Sequence, residues 1–370
     1  MRQLRLQETG KQSFYGDYLY DRIVSQGHFL RKLRELVPWQ RYTYRLLKYY
    51  RGQGKVGRPP IDPALVFKML LLSYLYNLSE RETEEFCNLN LAAKYFLGLA
   101  IDEQAPDHST LTVFKQRLLD NGKLKAYERL LERVIADARE AGITFGSLQL
   151  IDSTHSIADV NTAKDDQGKD EGDEPRDPDA RWGCKGSYRV TDEEGRQHTR
   201  RQYFYGYKAH VSMNSTAQMI TSLIPSAGNA YDGHYLTELI TKDLAQGLLV
   251  GSCAADRGYD DTENHYWLEV HGIQNAIHLN QHRTHKKDGN REVWVALKAE
   301  PWYFASLSQR YQIERKFGEA KKHHGLARCR YLGRERYGVQ AYLTAIALNL
   351  KQLIRGLTGV SLRGPTLNTI

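Results

Sequence analysis

No two of the four cysteines fall at CxxC spacing. Cys87, Cys184, Cys253 and Cys329 are scattered along the chain, which excludes a zinc ribbon or a disulfide framework and fits free thiols in a reducing compartment. Long apolar runs are missing as well. The densest, LVFKMLLLSYLY, is too short to cross a bilayer and contains Lys68. The N-terminal MRQLRLQETGKQ has no apolar h-region and does not read as a signal peptide. No repeat period is present. The expectation is a soluble intracellular protein with no membrane partner.

What the chain does contain is ample core material. Hydrophobic residues make up 41% and aromatics 11% of 370 residues, enough for two packed domains. The net charge is +8, which suits an acidic partner such as nucleic acid without requiring one. The excess is concentrated: residues 1–60 hold 13 Lys and Arg against 4 Asp and Glu. This basic segment closes in GQGKVGRPPID, a Gly/Pro-rich punctuation that includes Arg58.

Residues 61–125 read as successive capped helices. Ser79 and Glu82 fit a capping box, and DHSTLTVFKQRLL follows Pro106 as a further capped helix. Such a series suits either helix-turn-helix contact with DNA or an ordinary bundle. From about residue 145 the texture changes to short apolar runs alternating with helical patterns. YGYKAHVSM and AQMITSLIP form a hairpin around Asn214-Ser215-Thr216, and LLVGSCAADRG and NAIHL read as further strands. Residues 303–324 and 338–355 read as helices. Residues 165–180 carry eight acids and two bases, which suggests a flexible surface insertion spanning about 164–200. A mixed α/β domain over 145–355, behind a helical one, is the expected architecture.

Three carboxylates stand out. Asp152 closes the run LQLID and Asp256 closes GSCAAD, so both are expected where strand becomes loop, although a turn or cap role is open to each. Glu314 lies in YQIERKFGEAKKHHG, on one helical stripe with Arg310 and Lys321, with Arg315, Lys316 and Lys322 on neighbouring faces. Ile313, Phe317 and Ala320 form an adjacent apolar stripe that can dock on a sheet. The bland alternative is a solvated Arg310–Glu314 ion pair worth a few tenths of a kcal/mol. Three hard oxygen ligands suit Mg²⁺ or Mn²⁺, and two such ions support phosphodiester chemistry. The surrounding cations would then bind phosphate.

These residues resemble bacterial insertion-sequence DDE transposases of the IS-five type, closest to the IS-eleven-eighty-two-like branch. The match runs from about residue 40 to 355. RPPIDPALVFKMLLLSYLYNLSERETEEFCNLNLAAKYFLGL with PDHSTLTVFKQRL resembles an InsH-type N-terminal domain. LIDSTHSIADVNTA, ADRGYDD and RYQIERKFGEAKKHHGLARCRYLG resemble the two aspartate motifs and the glutamate motif. The family pattern of Tyr, Arg, Glu and Lys keeps Arg310, Glu314 and Lys321, but Leu307 stands at the tyrosine position. The resemblance implies an RNase H-like catalytic domain and two divalent metals on Asp152, Asp256 and Glu314. It also implies terminal inverted repeats and target DNA as double-stranded substrates, a homodimer or larger transpososome, and a cytoplasmic, nucleoid-associated location. Arg310, Lys321, Arg257, Arg315, Lys322 and Arg58 are the expected DNA contacts. The rival readings are a catalytically silent DNA-binding repressor and an RNase H-like nuclease that cuts without joining.

Several further residues carry two readings. His155 suits a scissile-phosphate contact or a loop histidine, and Arg257 suits phosphate binding or a local ion pair. Asp232 is expected to cap the helix beginning near Tyr235. Adjacent His323 and His324 face different ways on a helix, against a shared metal. Tyr203, Tyr205 and Tyr207 alternate as sheet-face packing would, and Trp182 and Trp302 flank loops where they could wedge DNA.

Overall fold

The computed structural model describes residues 6–10, 14–50, 59–163, 174–192, 194–280 and 291–362. Arg58 and the acidic stretch 164–173 lie outside the described residues. The chain divides into two units, Thr144–Tyr342 and the remainder, Met1–Ile143 with Leu343–Ile370. Among the described residues no helix is long and apolar enough to cross a membrane.

The first unit is helical. Its elements are α1 (Phe14–Ile23), α2 (Phe29–Leu36), α3 (Trp39–Leu47), α4 (Pro63–Leu75), α5 (Glu80–Leu89), α6 (Leu91–Leu97) and α7 (His108–Glu140). Local chemistry sets the boundaries. Asp62 caps α4, which has proline at its first position. Ser79 and Glu82 close the expected capping box on α5, and Gly98 ends α6 in the left-handed conformation. Every residue of α4 is buried, Lys68 included. Its ammonium donates to the carbonyls of Phe96 and Leu97 at 3.0 and 2.6 Å, where α6 runs out of its own donors. Burial lowers the Lys68 pKa to about 7. The basic segment 1–60 is thus helical over much of its length, and part of its charge works internally: buried Arg31 pairs with Asp21 at 3.0 Å, and Arg34 donates to the Tyr95 carbonyl at 2.6 Å.

The second unit is a mixed sheet with helices. Its strands are β1 (Leu148–Ile157), β2 (Arg181–Thr191), β3 (Gln197–Asn214), β4 (Met219–Ala227), β5 (Ser252–Ala255) and β6 (Gln274–Ile277). Its helices are α8 (Leu236–Ala245), α9 (Thr262–Val270), α10 (Arg291–Ala296), α11 (Pro301–Ser308) and α12 (Tyr311–His323), and α13 (Arg334–Thr358) follows them. β3 runs antiparallel to β1 and to β4, while β1, β5 and β6 are mutually parallel. The path β4-β3-β1-β5-β6, an antiparallel meander extended by two parallel strands, is the RNase H-like arrangement. Ile151, Cys253, Ala255 and Ile277 from the parallel strands pack with Leu239 and Ile240 of α8 in one buried cluster.

Two features depart from the sequence expectations. Asp152 does not end its strand: β1 continues to Ile157, paired throughout with β3. Only its parallel pairing stops at Ile151, opposite Ala255. And β2 was not foreseen. Residues from Arg181 onward, placed by composition within an insertion, pair with the first half of β3.

β2 and β4 share one edge of β3 in succession, with Gly206 at the changeover. Arg181 pairs with Gly206 and Ala227 with Tyr207. Backbone crowds Gly206 so closely that a Cβ there would lie 2.1 Å from the Ser156 carbonyl oxygen. We expect Gly206→Ala to destabilise the protein by about 3 kcal/mol or more. Gly318→Ala, on an exposed stretch of α12 with nothing within 4 Å, is expected to add roughly 0.5–1 kcal/mol of helix propensity. Urea denaturation midpoints of the two variants check both signs.

Candidate active site

Parallel pairing of β1 with β5 brings Ile151 opposite Ala255, so the next residues, Asp152 and Asp256, leave the pair side by side. The Asp256 Oδ1 accepts the Gly258 N–H at 2.8 Å and caps the short turn Arg257–Tyr259. Its turn role and its place in the site therefore coexist. Asp152 Oδ1 accepts the Ser153 N–H at 2.8 Å, and its Oδ2 takes the Arg310 guanidinium at 3.3 Å.

Glu314 arrives on α12. Ile313, Phe317 and Ala320 are buried, as the apolar stripe requires. The helical stretch expected over 303–324 is broken at Gln309 and Arg310, which separate α11 from α12 and place Arg310 at the N-cap position. No glycine or proline marks this break. Glu314 sits in the first turn of α12, where the helix dipole favours an anion. Its Oε1 is 3.9 Å from the same Arg310 nitrogen that contacts Asp152. The expected i,i+4 ion pair exists, but it is one half of a bridge from Glu314 to Asp152.

The electrostatics of Asp152 follow from its position. Its side chain is 15% exposed. Burial pushes its pKa up to about 7; Arg310 opposes that, while Asp256 and Glu314 add to it. Tyr259 lies fully buried within the field of Asp152, Asp232 and Asp256, and its pKa is raised chiefly by desolvation.

Lys321, two turns along α12, sits 3.4 Å from His155 Nδ1. His155 is a strand residue, not a loop residue, with its ring 4.6 Å from that of Phe204. Burial, then Lys321, Lys185 and Lys208, lower its pKa to about 4, so it is neutral at ordinary pH. Burial and then Lys185 lower Lys321 to about 8. Arg315 and Lys322 are exposed on α12.

The remaining expectations are mixed. Arg257 is exposed and donates to His278 Nδ1 at 3.1 Å, a histidine contact in place of the local ion pair that was its alternative reading. Asp232 does not cap α8, which has no side-chain cap. Instead it accepts Lys208 at 2.9 Å, and its Oδ2 lies near Gly258 together with Asp256 Oδ1. Asp232 and Lys208 are site neighbours that sequence spacing did not signal, because they come from β3 and the loop after β4. Tyr207 is buried, donating to Asp177 at 2.5 Å, whereas Tyr203 is exposed. Trp182 is the second residue of β2 and Trp302 the second residue of α11, each just past the segment that leads into its element. His323 is exposed and His324 buried, consistent with their facing different ways.

Models of two protein families match the chain: the Transposase DDE domain over residues 145–350 and the Transposase domain (DUF772) over 18–117. The chain belongs to the DDE transposase family. It is therefore a DNA transposase, an enzyme of a family that generally uses divalent metal ions. Among solved structures it is similar to a piggyBac transposase synaptic complex with hairpin DNA, at 10% identity and TM-score 0.40, covering 95% of this chain and 78% of that one. It is also similar to a Mos1 mariner paired-end complex with Mn, at 12% identity and TM-score 0.21, covering 87% and 95%. These likenesses are loose, and the fold assignment rests on the strand order.

The donor set fits a divalent cation. Asp152, Asp256 and Glu314 offer hard oxygens, and the pKa of Asp152, raised first by burial and then by the charges of Asp256 and Glu314, marks a buried acid whose ionised form a cation would stabilise. Their oxygens are not drawn together as they stand. Among the described residues, the cluster whose ligand atoms all lie within 4.8 Å is Glu84, Asp107 and His108, outside this site. There helix capping already employs them: Glu84 accepts both the His108 backbone and ring nitrogens, and Asp107 caps α7.

The pKa of Asp152 sets a sign for stability against pH. Raised in the fold, it favours the neutral acid, so ionising it between pH 3.8 and about 7 costs stability. In chelator, Asp152→Asn is expected to raise stability by roughly 1–3 kcal/mol above pH 7. The gain should fade to nothing below pH 4, a profile read from melting temperatures across pH.

Proposed function

We propose that the protein cuts DNA at the terminal inverted repeats of an insertion sequence and joins the freed 3′ end to target DNA. The observation that carries this reading is the convergence of Asp152, Asp256 and the Glu314-bearing helix at the point where the β1–β5 pairing ends, tied by Arg310.

In this reading Asp152, Asp256 and Glu314 hold divalent ions, magnesium or manganese and two in number. When bound, these lower the pKa of a water and stabilise the leaving oxygen of an in-line displacement. The protein's own groups do the rest. Asp152 uses Oδ1 on its own strand and frees Oδ2 as Arg310 turns to phosphate. Arg310 is suited to this exchange because its guanidinium pairs equally with carboxylate and phosphate. Lys321, with a pKa near 8, remains largely protonated at neutral pH and offers a second phosphate contact. Neutral His155 beside it accepts from the ammonium and aims it. Exposed Arg315 and Lys322 extend the same helix as a track for the DNA backbone, while Arg257, held by His278, is a weaker candidate. The helical unit, with Arg58 in the stretch before α4, reads the repeat, and two or more protomers pair the two ends.

The test is cleavage of the element's own ends with Mg²⁺. Wild type is expected to nick at the repeat boundary. Asp152→Asn, Asp256→Asn and Glu314→Gln should each lower the rate by more than about 100-fold while still binding the repeat. Arg310→Ala should lower both cleavage and DNA affinity. Full cleavage by the three carboxylate variants would overturn the assignment. Repeat binding without nicking in wild type, in Mn²⁺ as well, would make the protein a DNA-binding repressor. Nicking without joined product would make it a nuclease.

A further inference from the structure

β3 is 18 residues long, but β1 and β4 pair only with its second half. Residues 197–204 are paired on one side alone, by β2, whereas the Tyr205 carbonyl also accepts the Ala158 N–H on the β1 side. Beyond the bulge between Cys184 and Gly186, six residue pairs run from Gly186–Gln202 to Thr191–Gln197 as a two-stranded ribbon exposed on both faces. At about 3.3 Å per residue it extends roughly 20 Å. A lone hairpin in water is marginally stable. A ribbon of this kind gains stability from a partner that covers it or from strong cross-strand pairs, and its cross-strand pairs here are mostly polar.

Charge indicates the partner. The acids described on the ribbon, Asp192 and Glu194, sit at its turn, where they are engaged with Arg196 and His198. The shaft carries Arg189, Arg200 and Arg201 and no acid. These three are exposed and have no ion pair among the described residues. Register puts Arg189 and Arg201 on one face, and Arg200 opposite Tyr188 on the other. Tyr188 is 53% exposed. Cations on both faces, one of them beside an exposed aromatic, suit a ribbon lying between two phosphate backbones. The major groove, about 12 Å wide, admits a two-stranded ribbon.

The root of the ribbon leads to the active site. The bulge isolates Lys185, whose charge reaches both His155 and Lys321. Phe204, the last ribbon residue before the sheet, packs its ring on His155. DNA held by the shaft would therefore continue onto the phosphate contacts of α12.

We propose that the β2–β3 ribbon is a duplex-DNA-binding arm, with Arg189, Arg200 and Arg201 neutralising backbone phosphates next to the cleavage site. The assignment rests on the transposase reading for its substrate, but its test is separable. The variant carries Arg189→Ala, Arg200→Ala and Arg201→Ala; a second carries lysine at the same three positions. Fluorescence anisotropy is recorded across a salt series with a duplex of the element's own end and with a random-sequence duplex. Cleavage is measured at saturating DNA, and sedimentation reports self-association.

The alanine variant is expected to bind both duplexes about tenfold or more weakly, with the slope of log K against log salt reduced by about 2 to 3. The lysine variant should restore the slope, and the alanine variant should still cut at saturating DNA. An unchanged affinity and slope, with wild type binding and cutting normally, would overturn the arm and leave the transposase reading intact. A ribbon-dependent slope in a wild-type protein that never cuts would support the arm and sink the transposase reading. Lost self-association at an unchanged slope would make the ribbon a contact between protomers, overturning the proposal, as would a wild type that binds no duplex.

Discussion

Carboxylates gathered at one end of a sheet repel one another, and the site is organised by the cation that stands between two of them. Arg310 reaches Asp152 at 3.3 Å and Glu314 at 3.9 Å through one nitrogen. It is placed to do so by the break between α11 and α12, which sets it at the N-cap of the helix that carries Glu314. The arginine lowers the cost of burying Asp152 without removing it, since burial still holds that carboxyl near pH 7. The site is thus stable enough to fold and left with unrelieved negative charge, the state in which a divalent cation gains most. In the proposed reading a phosphate would be the alternative partner for the displaced guanidinium, so cation and DNA loading would favour each other.

The sheet supplies the other half of the arrangement. Parallel pairing of β1 with β5 fixes Asp152 beside Asp256 through backbone hydrogen bonds rather than through side-chain contacts. The apolar stripe of Ile313, Phe317 and Ala320 fixes α12. Rigid elements therefore carry all three acids, which is what a reaction sensitive to small misplacements requires.

Much of this was legible in the sequence. Asp152 and Asp256 follow buried apolar runs, and the helical offsets of Arg310, Glu314 and Lys321 put one stripe on one helix. The capping box at Ser79 and the hairpin at Asn214-Ser215-Thr216 were equally readable, because turn and cap chemistry is local. β2 was not. A strand exposed on both faces has no apolar alternation to betray it, and its neighbouring acids made the whole stretch look like an insertion. The helices within residues 14–50 were hidden by their charge, some of which is spent on internal partners such as Asp21. Asp232 looked like a helix cap because acids before helices usually are; its engagement with Lys208 depends on a strand distant in sequence, as does the 3.4 Å approach of Lys321 to His155.

The central claim is that Asp152, Asp256 and Glu314 form one divalent-metal site. Its most direct test loads the protein with Fe²⁺ in place of Mg²⁺ and maps where ascorbate and peroxide cut the polypeptide. The account predicts cuts clustered near residues 152, 256 and 314 that Mg²⁺ suppresses and Asp152→Asn abolishes. Cuts confined to the neighbourhood of Glu84, Asp107 and His108, or none that Mg²⁺ competes away, would contradict it.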